Sequence, residues 1–206
     1  MRFPAPVTGH LLAGGVSRRM GQDKVLLPWR GVTMLDLALG KLHAVCSTVR
    51  ICSNRRDLRT DVTVLRDASV VIEGVECGPI GPLGGLLAAL EKTRTDWNLF
   101  LPVDVPLLPV ALLQKILLQT EESQAWAVLP TFEGKPQPLC AAYHRALLPG
   151  LRQAAQAEKW KVTQALAVAA PSEAIVQIDC DEEDAERWFL NLNTPKDWMT
   201  LRKLTD

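Results

Sequence analysis

Short apolar runs alternate along this chain with longer stretches in which apolar residues recur every three or four positions. Continuous apolar runs suit strands buried on both faces, and stripes at helical spacing suit helices packed on such a sheet. The alternation predicts parallel strands joined by crossover helices, an α/β fold. Residues 7–12 read as the first strand, followed by a loop rich in Gly and Arg. Met34, Leu35, Ala38, Leu39, Leu42 and Val45 then predict a helix covering one sheet face. Residues 49–52 and 62–65 read as short strands. Leu83, Leu86, Leu87 and Leu90 place a helix just after Pro82, where proline suits a first turn. Residues 98–103 form an apolar run that ends at Asp104, 107–118 a proline-started helix, and 125–129 and 139–143 further strands. The last third predicts helices over 147–157 and 162–168, a strand over 174–178 and a closing helix after Pro195. No repeat, linker or low-complexity segment interrupts the pattern, so residues 1–206 read as a single domain.

Composition narrows the function. Hydrophobic residues make up 48% of the chain, enough for one substantial core. Lys plus Arg equals Asp plus Glu at 23 each, so no basic excess is available to hold a polyanion, and no nucleic-acid partner is expected. The first apolar stretch is broken at Thr8, Gly9 and His10, too early for a signal sequence or a membrane span, which predicts a cytoplasmic protein with no membrane partner. The five cysteines are dispersed without a CxxC pair, and there are only three histidines. Small buried thiols in a reducing compartment are expected, with neither disulfides nor a zinc site.

Candidate chemistry begins in the loop after the first strand. Leu12-Ala13-Gly14-Gly15-Val16-Ser17-Arg18-Arg19-Met20-Gly21-Gln22-Asp23-Lys24 holds three glycines, two arginines and a lysine. Glycines let main-chain N–H groups approach phosphate oxygens, Arg offers a planar fork and Lys a compact charge. The familiar phosphate motifs do not match. Gly21 and Lys24 are separated by two residues, against a Walker loop, and Gly14 and Gly15 are adjacent, against GxGxxG. On spacing alone a turn with solvated Arg and Lys is equally open. Further on, Asp104 follows an apolar run, at the strand end where open α/β sheets collect ligands. A carboxylate there suits Mg2+, which prefers oxygen ligands and shares them with substrate phosphates. It would equally cap the turn before Pro106.

The residue order carries more than the spacing. The pattern LAGGxSxRMGxDK resembles the N-terminal signature of the molybdenum-cofactor guanylyltransferases. Asp-x-Pro at Asp104, Gly-Pro-Leu-x-Gly at Gly81 to Gly85, Pro-Gln-Pro-Leu around Gln137 and Pro138, and Asn-x-Asn-Thr-Pro from Asn191 through Asn193 resemble later segments of that family. The resemblance implies a single-domain, Rossmann-like, three-layer α/β/α nucleotidyltransferase fold with a mostly parallel sheet. It implies an N-terminal half that binds nucleotide and a C-terminal half that binds the acceptor. Leu12, Ala13, Gly14, Gly15, Asp67, Gly81 and Gly85 would contact the nucleotide, and Arg19 and Lys24 its phosphates. Asp104 would hold Mg2+, and Gln137, Pro138, Asn191 and Asn193 would face the acceptor. Asp23 is the form of the guanylyl branch. GTP and molybdopterin would be substrates, and proteins of molybdenum-cofactor biosynthesis or acceptor proteins the partners. The chain departs from the pattern at Cys52, where an amide is expected, with Asn54 two residues on. The same chemistry with CTP or another phosphorylated acceptor, and a nonenzymatic nucleotide-binding or cofactor-delivery module, are the alternatives. Lys159 and Lys161 read as a charged surface, and Trp160, Trp188 and Trp198 as packing residues.

Overall fold

The computed structural model describes residues 6–14, 24–55, 58, 60–67, 70–72, 75–77, 80–180 and 185–204. In chain order the strands are β1 (Val7–Leu12), β2 (Pro28–Trp29), β3 (Val32–Thr33), β4 (Thr48–Cys52), β5 (Val64–Leu65), β6 (Val70–Ile72), β7 (Val75–Cys77), β8 (Trp97–Pro102), β9 (Ala127–Phe132), β10 (Lys135–Pro136), β11 (Ala142–His144) and β12 (Ile175–Asp179). The α-helices are α1 (Met34–His43), α2 (Pro82–Lys92), α3 (Val110–Glu122), α4 (Leu148–Gln156), α5 (Val162–Ala169), α6 (Ala185–Trp188) and α7 (Pro195–Lys203).

One mixed sheet organises the molecule. β1 lies between β4 and β8 and runs parallel to both, and β5 extends the parallel edge beyond β4. β11 is antiparallel to both β8 and β9, so β9 regains the direction of β8, and β12 lies parallel to β9. Val128 pairs with both Ala142 and Val176, and Thr131 with both Pro136 and Asp179, which puts β12 on one edge of β9 and β10 and β11 in succession along the other. The expected mostly parallel α/β sheet is present, with two strands, β10 and β11, running against the others. Two further hairpins, β2–β3 and β6–β7, stand off the main sheet.

Alternation along the central strands feeds two cores. Val7 and Leu11 of β1, with Leu99 and Leu101 of β8, pack under α1 and α3, while Phe100 of β8 packs under α2, α4 and α5. This is the three-layer arrangement. α1 begins in a capping box, with the Asp36 N–H donating to Thr33 Oγ1 at 3.1 Å and the Thr33 N–H to Asp36 Oδ2 at 3.4 Å. Its buried residues, Met34, Leu35, Ala38, Leu39 and Leu42, are the stripe visible in the sequence. Each of the Met and Leu side chains among them stabilises by about 1.5–3 kcal/mol on full burial.

Some boundaries differ from expectation. α3 starts at Val110 rather than Leu107, because Pro109 restricts the residue before it and occupies the N-cap. β11 starts at Ala142 rather than Leu139, since the Cys140 N–H closes a turn onto the Gln137 carbonyl at 3.0 Å. β5 is shorter at its start than the expected 62–65 strand. The two-residue turns Arg30-Gly31 and Glu133-Gly134 all have positive φ and join β2 to β3 and β9 to β10, hairpins that the apolar pattern did not reveal. Among the described residues no helix is long and apolar enough to cross a membrane.

Candidate active site

The carboxyl ends of β1, β4, β5 and β8 open into one cleft of about 780 Å3. Its edge is assembled by main-chain bonds that continue the ladders beyond the strands. The Ala13 N–H donates to the Cys52 carbonyl at 3.0 Å, the Ser53 N–H to the Leu65 carbonyl at 2.8 Å and the Val103 N–H to the Leu12 carbonyl at 3.1 Å. The Ser53 hydroxyl, fully buried, donates to the Ala13 carbonyl at 3.0 Å. Every strand end is therefore tied to its neighbour, and the residues that follow share one rim.

Leu12, Gly14, Lys24, Asp67, Gly81, Gly85, Asp104, Asn191 and Asn193 all line this cleft, although 181 positions separate the first from the last. Ala13 turns inward at 1% exposure and contributes its backbone. Gln137 and Pro138 are half-buried outside the lining, and their neighbour Leu139 reaches it instead. The Gln137 N–H donates to the Pro130 carbonyl at 2.8 Å and its side-chain amide to the Lys135 carbonyl at 3.2 Å, so both groups serve the turn. Gly15 and Arg19 lie outside the described residues.

The polar centre of the cleft is a cation between oxygens. Lys24 Nζ donates to Asp104 Oδ2 at 3.2 Å and also to Asn193 Oδ1, and about a fifth of each ion-pair side chain is exposed. Asp104 sits on the turn that follows β8, and its carbonyl accepts from the Leu192 N–H at 2.9 Å. That bond fixes the segment bearing Asn191 and Asn193 beside Asp104. Across the cleft, Asn54 and Asp67 make a reciprocal pair. Asn54 Nδ2 donates to Asp67 Oδ2 at 2.8 Å, and the Asp67 N–H donates to Asn54 Oδ1 at 3.0 Å. Burial pushes the Asp67 carboxyl above its ordinary value against the opposing effect of Asn54. The sequence places Cys52 where an amide is expected and Asn54 two residues on. The structure buries Cys52 in the cleft floor and presents the Asn54 amide at the rim.

Gly81 precedes α2 with φ 68°, a conformation glycine adopts without strain, and Pro82 follows in the first turn. Gly85, one turn on, is fully packed. A Cβ there would stand 3.2 Å from Leu12 Cδ2, 3.5 Å from Asp67 Oδ1 and 3.6 Å from Cys52 Cβ. A side chain at residue 85 would press on Leu12, which would have to give by a few tenths of an ångström, so the glycine lets the α2 backbone lie against the β1 and β4 strand ends without that shift.

A cleft at the carboxyl edge of a doubly covered sheet, with glycine-lined backbone on one side and a Lys–Asp pair on the other, can take a nucleotide. Residues 9–172 match the family model of the MobA-like NTP transferase domain. The chain belongs to this MobA-like NTP transferase family. Members are nucleotidyltransferases, and this chain is an enzyme of that kind. A Bacillus anthracis protein named probable molybdenum cofactor guanylyltransferase is 30% identical over 198 residues, covering 95% of both chains. A protein of the same name from Bacillus cytotoxicus is 28% identical over 196 residues, 95% of this chain and 96% of that one. The crystal structure of molybdopterin-guanine dinucleotide biosynthesis protein A from Archaeoglobus fulgidus superposes with a TM-score of 0.74 at 19% identity, over 96% of this chain and 97% of the other. The shared fold extends over nearly the full length of both proteins.

Proposed function

We propose that this family member transfers GMP from GTP to the terminal phosphate of molybdopterin and releases pyrophosphate. The observation that carries the reading is the meeting of Lys24, Asp104 and the glycine-bearing starts of the β1 loop and α2 in one cleft. The names of the Bacillus relatives support the guanylyl donor and the molybdenum-cofactor acceptor.

A divalent metal fits the residues present. Asp104 offers carboxylate oxygen and already holds a cation in the form of the Lys24 ammonium. Among the described residues no cluster of three His, Cys, Asp or Glu forms an all-protein cage. One carboxylate with open space around it matches Mg2+, which keeps waters and takes substrate phosphates as further ligands. When bound, Mg2+ supplies charge neutralisation for the triphosphate and for departing pyrophosphate.

The protein's own groups then have defined tasks. The backbone of Gly14 and the α2 start hold nucleotide, with Asp67, steadied by Asn54, at the same end of the cleft. Lys24 neutralises the β- and γ-phosphates, and Arg19 is assigned the same task by the family pattern. The acceptor phosphate enters along the side bearing Leu139, Asn191 and Asn193 and attacks the α-phosphorus. No side-chain nucleophile is needed, because a phosphate monoester is already anionic near neutral pH. Positioning and electrostatics carry the rate.

The test is turnover of molybdopterin with GTP and with CTP in parallel, read by pyrophosphate release with Mg2+ present. GTP is expected to be the better donor. A preference for CTP would overturn the guanylyl assignment. Nucleotide binding with no pyrophosphate release from either donor would overturn transfer to this acceptor.

A further inference from the structure

The helix that closes the described chain reaches the cleft through two residues. α7 opens with a capping box, in which the Thr194 N–H donates to Asp197 Oδ2 at 2.7 Å and the Asp197 N–H to Thr194 Oγ1 at 3.3 Å. Such a box needs no more than this to serve the helix. Here the same Asp197 Oδ2 also accepts from the Asn193 N–H at 2.9 Å, one residue before the N-cap. The Asn193 amide oxygen in turn accepts from Lys24 Nζ, which lies 3.2 Å from Asp104. One residue earlier, the Leu192 N–H is bound to the Asp104 carbonyl. Asn193 is thus held on both sides, and its side chain ends on the ammonium.

We propose that Asp197 is a positioning residue for Lys24 and acts through Asn193. The inference rests on the reading of the cleft as a nucleoside-triphosphate site. In it Asn193, on the acceptor side of the cleft, is also part of the phosphate-binding machinery through its bond to Lys24. Lysine has a flexible four-carbon stem, and its ammonium is a point charge with no preferred plane. A second fixed oxygen beside Asp104 confines the charge to one spot, where triphosphate oxygens meet it without reorganisation. The charge environment is consistent with the link. Burial opposes ionisation of Asp197, but the N–H groups of Asn193 and Thr194, the Thr194 hydroxyl and the nearby Lys24 charge bring its carboxyl below the ordinary range.

A role in the helix cap alone and a role through Lys24 predict different results in a double-mutant cycle. GTP affinity is measured by calorimetry at saturating Mg2+ for the wild type, Asp197→Ala, Lys24→Ala and the double variant, with Thr194→Ala alongside. Asp197→Ala is expected to weaken GTP binding about tenfold when Lys24 is present and less than twofold when it is absent. Thr194→Ala removes a cap bond but leaves the Asp197–Asn193 bond, and is expected to change GTP affinity less than twofold. Asn193→Ala keeps the backbone donor and therefore the cap. It should reproduce the Asp197→Ala loss and show the same coupling to Lys24, which keeps the test decisive if Asp197→Ala loosens α7. Asp197→Asn, with one acceptor oxygen retained, should recover most of the affinity. Equal losses in the two Lys24 backgrounds, or an effect of Thr194→Ala as large as that of Asp197→Ala, would overturn the positioning role while leaving the nucleotide reading intact. A wild-type protein that binds no nucleoside triphosphate would overturn that reading and the positioning role with it.

Discussion

Replacing Lys24 by Met should move two properties in opposite directions. The ammonium lies 3.2 Å from Asp104 Oδ2, and the two side chains are 18% and 21% exposed. At an effective dielectric constant near 20 the gross attraction of such a pair is about 5 kcal/mol. Desolvation and the ordering of a long side chain cancel most of it, leaving a net interaction of about 1 kcal/mol. A divalent ion that binds Asp104 in the absence of nucleotide must displace this interaction. Lys24→Met removes the competitor, so the bare ion should bind about fivefold more tightly, the factor equivalent to about 1 kcal/mol. Turnover should fall by roughly 100- to 1,000-fold, the loss typical of removing one preorganised charge from a phosphoryl or acyl transition state. The ion is followed by electron paramagnetic resonance of Mn2+ without nucleotide, and turnover by pyrophosphate release at saturating GTP and Mg2+. Unchanged or weaker Mn2+ binding would refute the competition at Asp104. Near-normal turnover would refute the role of Lys24 in the transition state.

Two further outcomes concern stability. Gly150 in α4 faces α5 so closely that a Cβ would lie 2.4 Å from Ala169 Cα and 3.0 Å from Ala169 O, main-chain atoms that cannot swing aside. Gly150→Ala gains at most about 1 kcal/mol of helix propensity and loses about 1–3 kcal/mol to overpacking, so the urea midpoint should fall, and a raised midpoint would show that the helices separate freely. Lys41 on α1 donates to the Pro106 carbonyl, and burial lowers its pKa from 10.5 to about 8, partly offset by Cys140. Between those values the unfolded chain keeps a proton that the folded chain has released, so this group contributes stability that is present above pH 10.5 and lost as pH falls through 8. The unfolding free energy of wild type minus that of Lys41→Met should therefore rise across this window, by up to about 3 kcal/mol; a difference flat with pH would count against the buried ammonium. The comparison cancels the buried cysteines Cys46 and Cys52, whose pKa values burial raises to about 12 and whose contribution has the opposite sign.

The α1, α2 and α5 segments were legible because each carries one dominant period, and in α1 the stripe from Met34 to Leu42 is the buried face. β1 was legible from Val7, Leu11 and Leu12, which flank Thr8, Gly9 and His10 in a strand buried from Val7 to Leu11. The short hairpins were not, since two-residue strands such as Pro28–Trp29 and Lys135–Pro136 are too short to show a period. Their signal lies in the turns, where Arg30-Gly31 and Glu133-Gly134 put a glycine second in a two-residue connection. At the site, the glycine-rich loop and Asp104 stood out by residue type and position after a strand. Asn54 did not, because its importance comes from a partner, Asp67, on a different strand end.

The sequence alone determined that strands and helices alternate, and that phosphate-seeking groups follow β1 and a carboxylate follows β8. Those features are local: a period of burial and the chemistry of neighbouring side chains are written in consecutive residues. Tertiary structure decided that β11 runs against its neighbours, that Gln137 and Pro138 stay out of the cleft while Leu139 enters it, and that Lys24 meets both Asp104 and Asn193. Strand direction and contacts between residues 169 positions apart depend on how the layers close over one another, and main-chain bonds such as Leu192 to Asp104 leave no mark on residue type.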